Sequence, residues 1–268
     1  MDSKPFIVKR PISERIPILV SVPHCGTSFP NELNDHYKID LMIAPDDTDW
    51  YVHDLYDFLL KEGVTIIHAK YSRWVIDLNR DPESKPLYDD GRIITALAPT
   101  TDFFGSPIYN SPELEPDDEE VERRVKNYYT PYYEKVSELL QETKRAFGKA
   151  LLWDAHSIRH FVPTIRKEVF PDMILGSNDE KTASTELINA ALEGLRSGEF
   201  KVNHNSPFKG GHITRNFGNP ENNIHALQLE MNKILYMDDA EKEYHPERAA
   251  KVQEVLKRTF KLLKEELK

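Results

Sequence analysis

The chain has 268 residues, 39% of them hydrophobic and 30% charged, and a formal net charge of −10. That length suits one large core without demanding two domains, and the balance is that of a soluble globular protein. The acidic mean field argues against nucleic acid or an anionic membrane as the main partner, while a few local arginines still suffice to hold a small anionic substrate. Cys25 is the single cysteine, so there is neither a disulfide framework nor a cysteine-based zinc site. No apolar run approaches the roughly 20 residues of a membrane span. The start of the chain lacks the apolar core of a secretory signal, and cytoplasm is the expected location.

In chain order, residues 16–22 are apolar and β-branched and predict a buried strand that breaks into Pro23-His24-Cys25-Gly26. Residues 27–45 read as loop with one helical turn. Asp46-Asp47-Thr48-Asp49 offers side chains that cap free backbone N–H groups. A helix is therefore expected from there to Gly63, with Trp50, Leu55, Phe58 and Leu59 on its core face. Residues 64–69 and 73–78 predict two further strands, the second delivering Asn79 and Arg80. Residues 81–116 show no sustained periodicity, and a loop of that length is usually functional or flexible. Within it, residues 97–105 carry polar side chains suited to lining a cleft.

Residues 117–147 predict a long helix, opened by acids, closed by Gly148 and kinked at Pro131. The short apolar run 150–158 predicts a buried strand with Asp154, His156 and Ser157 at its end. A loop (159–172), a strand (173–176), a helix (179–196) and a strand (200–203) follow. Gly210 and Gly211 then stand beside His212 and Arg215. Residues 224–230 predict a strand ending in Glu230, and residues 240–268 an amphipathic helix. Strands alternating with helices predict one three-layer α/β/α domain over residues 1–268, built on a mostly buried mixed central sheet.

Sites in open α/β sheets form at the carboxyl ends of strands. Three predicted strand ends deliver His24, His156 and Glu230, and a fourth delivers Asn79 and Arg80. The predicted helix start delivers Asp49, with Asp47 beside it. Two histidines, a carboxylate and a water make a catalytic zinc environment, and a further carboxylate can serve as general base. Plainer roles exist for each residue. His24 also suits an ordinary turn, His156 a core pair with Asp154, Asp49 a cap, Glu230 a pair with an arginine, and Arg80 a pair with Asp77 or Asp81. Cys25 reads as a small buried hydrophobe. His36, His68, His160, His204 and His245 read as surface or packing residues.

Seven segments occur here in one order: Ser21-Val-Pro-His-Cys-Gly-Thr27, Asp47-Thr-Asp-Trp50, Tyr71-Ser-Arg-Trp-Val-Ile-Asp-Leu-Asn-Arg80, Pro99-Thr-Thr-Asp102, Asp154-Ala-His-Ser157, Gly210-Gly-His-Ile-Thr-Arg215 and Leu227-Gln-Leu-Glu230. The series resembles the N-formylglutamate amidohydrolase family over roughly residues 17–240. The resemblance implies a metal-dependent hydrolase that releases formate from N-formyl-L-glutamate late in histidine degradation. That family in turn resembles the zinc carboxypeptidases, which implies a zinc-exopeptidase-like fold. On that likeness Asn79 and Arg80 hold a substrate carboxylate, His24 and His156 bind zinc, and Glu230 is the general base. One departure stands out. Carboxypeptidases place the ligand carboxylate three residues after the first histidine, and position 27 here is Thr. Asp49 is the expected substitute, with Asp47 second.

Amide hydrolysis agrees with this assignment. A bound zinc ion lowers the pKa of its water to about 7 and polarises the carbonyl. Arg80 offers a planar fork to a carboxylate. N-formylglutamate has two carboxylates, so a second cation is wanted. Arg215, beside the paired glycines, and Arg73 are the candidates, one of them facing the oxyanion; Arg73 is assigned to catalysis. Thr101 and His212, inside the shared segments, are expected to contact substrate. The loop 81–116 is expected to wall in the formyl group. The rivals are a carboxypeptidase or an amidohydrolase taking a larger acyl group, and a non-catalytic protein that binds an acidic amino acid.

Overall fold

The computed structural model describes residues 4–83 and 96–268. Numbered in chain order, its strands are β1 (Phe6–Lys9), β2 (Ile18–Val22), β3 (Thr65–Ala69), β4 (Ala150–Ile158), β5 (Met173–Gly176), β6 (Val202–His204) and β7 (Ile224–Asn232). Its α-helices are α1 (Ile39–Ile43), α2 (Val52–Leu55), α3 (Asp118–Arg124), α4 (Thr130–Phe147), α5 (Thr185–Leu195), α6 (His212–Phe217) and α7 (Pro246–Glu266). The strands form one mixed sheet in the order β1-β3-β2-β4-β7-β5-β6. Neighbours from β3 through β7 run parallel, β1 lies antiparallel on β3, and β5 lies antiparallel on β7.

Every residue of β2, β3, β4 and β5 is buried. That is why these strands read as continuous apolar runs and not as alternating ones. Successive side chains point to opposite faces. Leu19, Ile67, Leu152 and Ala226 pack with Tyr132, Val136, Leu139 and Leu140 of α4. Val20, Ile66, Trp153 and Leu227 pack with Leu55 of α2, Leu187 of α5, and Leu256 and Phe260 of α7. The three-layer α/β/α arrangement follows from this division.

Several expected elements differ. Residues 73–78 form turns, not a strand. Ser72 Oγ accepts from the Trp74 N–H (3.2 Å), and the Asp77 carboxylate accepts from the Asn79 N–H (2.9 Å). Such local side-chain bonds compete with a sheet ladder. The helix expected from residue 46 starts only at Val52, after Tyr51 at φ 61°. It continues as a 3-10 turn, Asp57–Glu62, that closes on Gly63 at φ 91°. The long helix divides into α3, a π-helical turn (Val125–Tyr129) and α4. Pro131, which has no N–H to donate, sits in the first turn of α4. Asn178, Asp179 and Glu180 take positive φ, so α5 begins only after the Ser184 cap. β7 runs two residues past Glu230. α1 supplies the helical turn expected within residues 27–45, whereas β1 and α6 were not anticipated. Residues 84–95 of the expected cleft loop lie outside the described residues.

Candidate metal centre

The central strands β2, β4 and β7 end on the same side of the sheet. His24 lies two residues beyond β2, and its carbonyl accepts from the Asp49 N–H at 2.9 Å. That bond fixes the loop carrying Asp49 over the strand end. His156 and Glu230 face each other in register across β4 and β7. His24, Asp49 and His156 are 3%, 1% and 2% exposed. Each brings one ligand atom into a group whose members all lie within 4.8 Å of one another.

The second nitrogen of each ring is also provided for. His24 Nε2 lies 2.8 Å from Asp77 Oδ1, while its Nδ1 faces Asp49 Oδ2 at 3.8 Å. His156 Nδ1 lies 3.2 Å from Asp49 Oδ2, and its Nε2 lies 3.2 Å from Asp154 Oδ1. Both imidazoles thus present Nδ1 to Asp49 and rest Nε2 on a buried aspartate. Carboxylate–histidine pairs of this kind orient metal-binding imidazoles and raise their basicity. Asp154 Oδ1 otherwise has no hydrogen-bond partner, and Asp154 Oδ2 accepts from Thr214 Oγ1 at 3.0 Å. A cation held at Nδ1 would leave the ring N–H on Nε2, within reach of Asp154 Oδ1 as acceptor. Two imidazoles and one carboxylate are a donor set that zinc takes, with a position left open. The residues therefore fit a divalent ion.

Burial, helped by Arg73, pushes His24 down to about 4, so its ring is neutral. Burial acts against the charge on His156 too, but Asp154 and Asp49 outweigh it and hold that ring well above the ordinary histidine value. Burial likewise disfavours ionised Asp49, and the hydrogen bond with His156 overcomes this and lowers its carboxyl. Glu230 is pushed up to about 7 by burial and the nearby Asp49, against the pull of His156. Its Oε2 accepts from Gln228 Nε2 at 3.2 Å.

The other expected residues fall around this group. Asp47, the second choice as ligand, is outside it: its oxygens accept from Trp74 Nε1 (2.9 Å) and the Phe103 N–H (3.0 Å). Arg73 is buried, donates to Asp77 Oδ2 at 2.6 Å, and lies over the Phe103 ring at 4.7 Å. Asn79 is 5% exposed. Its Oδ1 accepts from the Ile213 N–H at 2.9 Å, and its Nδ2 lies 3.1 Å from His156 Nε2. Arg80 and Thr101 share a cavity of about 300 Å³ with Phe103, Thr164 and Ile165. Arg215 Nε donates to Gly210 O at 2.9 Å. His212, on the same helix α6, lies 5.9 Å from the Tyr133 ring and is lowered by burial. Two partners escaped sequence reasoning: Asp77 behind His24, and Gln228 beside Glu230. An acid inside the apolar run Trp74-Val-Ile-Asp77-Leu is the unused signal that marks the first.

The chain's sequence and fold have close counterparts. The family model for N-formylglutamate amidohydrolase matches residues 16–237. An N-formylglutamate deformylase of Pseudomonas aeruginosa is 41% identical over 227 residues, 84% of each chain. One of Pseudomonas putida is 38% identical over 252 residues, 93% of this chain and 92% of that one. The crystal structure of an N-formylglutamate amidohydrolase from Ralstonia eutropha superposes with a TM-score of 0.78 at 25% identity, covering 98% of both chains. The chain belongs to the N-formylglutamate amidohydrolase family.

Proposed function

We propose that this chain is a metal-dependent amidohydrolase that cleaves N-formyl-L-glutamate to formate and L-glutamate. One observation carries the proposal: a buried His24–Asp49–His156 group with a carboxylate, Glu230, in register beside His156. The two Pseudomonas relatives named N-formylglutamate deformylase support the substrate. His24, Asp49 and His156 would hold the ion, zinc by the chemistry of the donor set. When bound, such an ion polarises a carbonyl and makes water acidic enough to act near neutral pH.

Glu230 takes a proton from the attacking water as the water oxygen bonds to the formyl carbon. It then hands that proton to the amide nitrogen as the C–N bond breaks, leaving formate and a free amine. Arg73, braced by Asp77, supplies positive charge to the oxyanion. Arg80 grips one substrate carboxylate and Arg215 the other, with Thr101 and His212 lining the space between. Asp77 and Asp154 hold the two imidazoles in the tautomer that leaves Nδ1 to the ion. On this proposal residues 1–268 form one domain working in the cytoplasm, late in histidine degradation. Among the described residues no helix is long and apolar enough to cross a membrane.

The test is an assay on N-formyl-, N-acetyl- and N-succinyl-L-glutamate. Release of L-glutamate from the first alone is expected, with formate as the other product. Equal cleavage of the acetyl compound would mean a broader acylase. Stabilisation by the substrate without turnover would mean a binding protein.

A further inference from the structure

Gln228 and Glu230 are two residues apart on β7, so their side chains share one face. Gln228 is 4% exposed, and both ends of its amide are engaged. Its Oε1 accepts from the Gly211 N–H at 2.7 Å, and its Nε2 donates to Glu230 Oε2 at 3.2 Å. The orientation of the amide is fixed by these partners. Turned over, it would set NH₂ against a backbone N–H and an oxygen against a carboxylate. Gly211 in turn is held where a side chain cannot go, since a Cβ there would lie 2.2 Å from Asn79 Nδ2. It is the last residue before α6, which carries His212 and Arg215. The next N–H but one, that of Ile213, is held by Asn79 Oδ1.

From this chain of bonds we infer that Gln228 is a positioning residue that couples the general base to the substrate-binding arm at the start of α6. This inference rests on the proposed deformylase reading. The donor end of the amide ties one oxygen of Glu230 and leaves the other to meet the proton. The acceptor end fixes the backbone from which Arg215 reaches substrate. Loss of the whole amide displaces both the base and the arm, and loss of one end displaces the group that end holds.

A double-mutant cycle tests this. Gln228→Met keeps the shape and removes both bonds. Its kcat on N-formyl-L-glutamate is expected to fall about tenfold or more, the scale set by small displacements of a catalytic group. In a Glu230→Gln background the same change should lower kcat no further, because its effect on that step runs through Glu230. KM should rise several-fold in both backgrounds, because the Gly211 arm is loosened in each. Metal content should match the native chain throughout. Gln228→Glu, also isosteric, keeps the acceptor for Gly211 but sets a like charge against Glu230. It should lower kcat with KM within about twofold of native. Native kcat in either variant, or the same kcat loss in both backgrounds, overturns the inference while the deformylase reading stands. A native chain that releases no formate overturns both.

Discussion

Two buried polar clusters in this molecule are built to opposite ends. Around α3, Arg124 is fully buried and supplies the positive charge itself. Its Nε donates to Glu120 Oε1 at 2.7 Å, and its Nη1 to Tyr37 OH, Tyr109 OH and Val75 O at 2.9–3.1 Å. At the carboxyl ends of β2, β4 and β7 the arrangement is different. There Asp49 faces two imidazoles whose far nitrogens already lie against Asp77 and Asp154. Arg73, a buried cation nearby, donates to Asp77. Buried charge is costly unless it is paired or coordinates a metal. The first cluster carries its own cation and fastens α3 to the core, with Arg124 Nη2 left without a hydrogen-bond partner among the described residues. The second converges ligand atoms on one point, and under the proposed function a cation from outside completes it.

The largest expected effect breaks the second cluster. His156→Ala removes one of the three proposed ligands, so zinc affinity should drop by more than the roughly 10–100-fold typical of losing an outer hydrogen-bond partner. Metal analysis after dialysis checks this, and formate release should be lost with the ion. Next comes Arg80→Ala. Truncating a desolvated charge pair costs about 2–5 kcal/mol, so kcat/KM should fall about 30-fold or more with metal content unchanged. The smallest effect belongs to the self-contained cluster. Hydrogen bonds from Arg123 and Arg124 hold Glu120 down at about 2. Its contribution to stability is therefore complete above the ordinary value of 4.5 and is lost as pH falls through about 2. Glu120→Gln should cost about 1 kcal/mol at neutral pH once solvent screening is allowed for. In denaturant titrations the gap between variant and native should close across that acid window, with activity on substrate unaffected at neutral pH.

What the sequence discloses follows from where each signal originates. β4 and β5 were legible to the residue, because a strand buried on both faces is an uninterrupted apolar run. The turn segment 73–78 imitates such a run, and the Ser72 and Asp77 side chains that fold it into turns carry no periodicity. Asp49 was legible as the expected carboxylate beside the histidines, which it faces, but the helix start predicted to carry it was misplaced: α2 starts three residues later. His24, His156 and Glu230 stood out as polar groups where apolar strands finish. Asp77 and Gln228 did not, since their partners His24 and Gly211 are distant in sequence and only the sheet order brings them together.

The measurement that bears most directly on the metal-dependent mechanism combines two chains, native and Glu230→Gln. Each is stripped of metal, reloaded with one equivalent of zinc, and assayed for formate release from N-formyl-L-glutamate. The native chain should be inactive when stripped and active when reloaded. Glu230→Gln should take up the same zinc, with kcat at least about 100-fold lower, as expected for loss of a general base. Undiminished activity in the stripped native chain, or a Glu230→Gln variant that fails to hold zinc, would contradict the division of labour between His24, Asp49 and His156 as ligands and Glu230 as base.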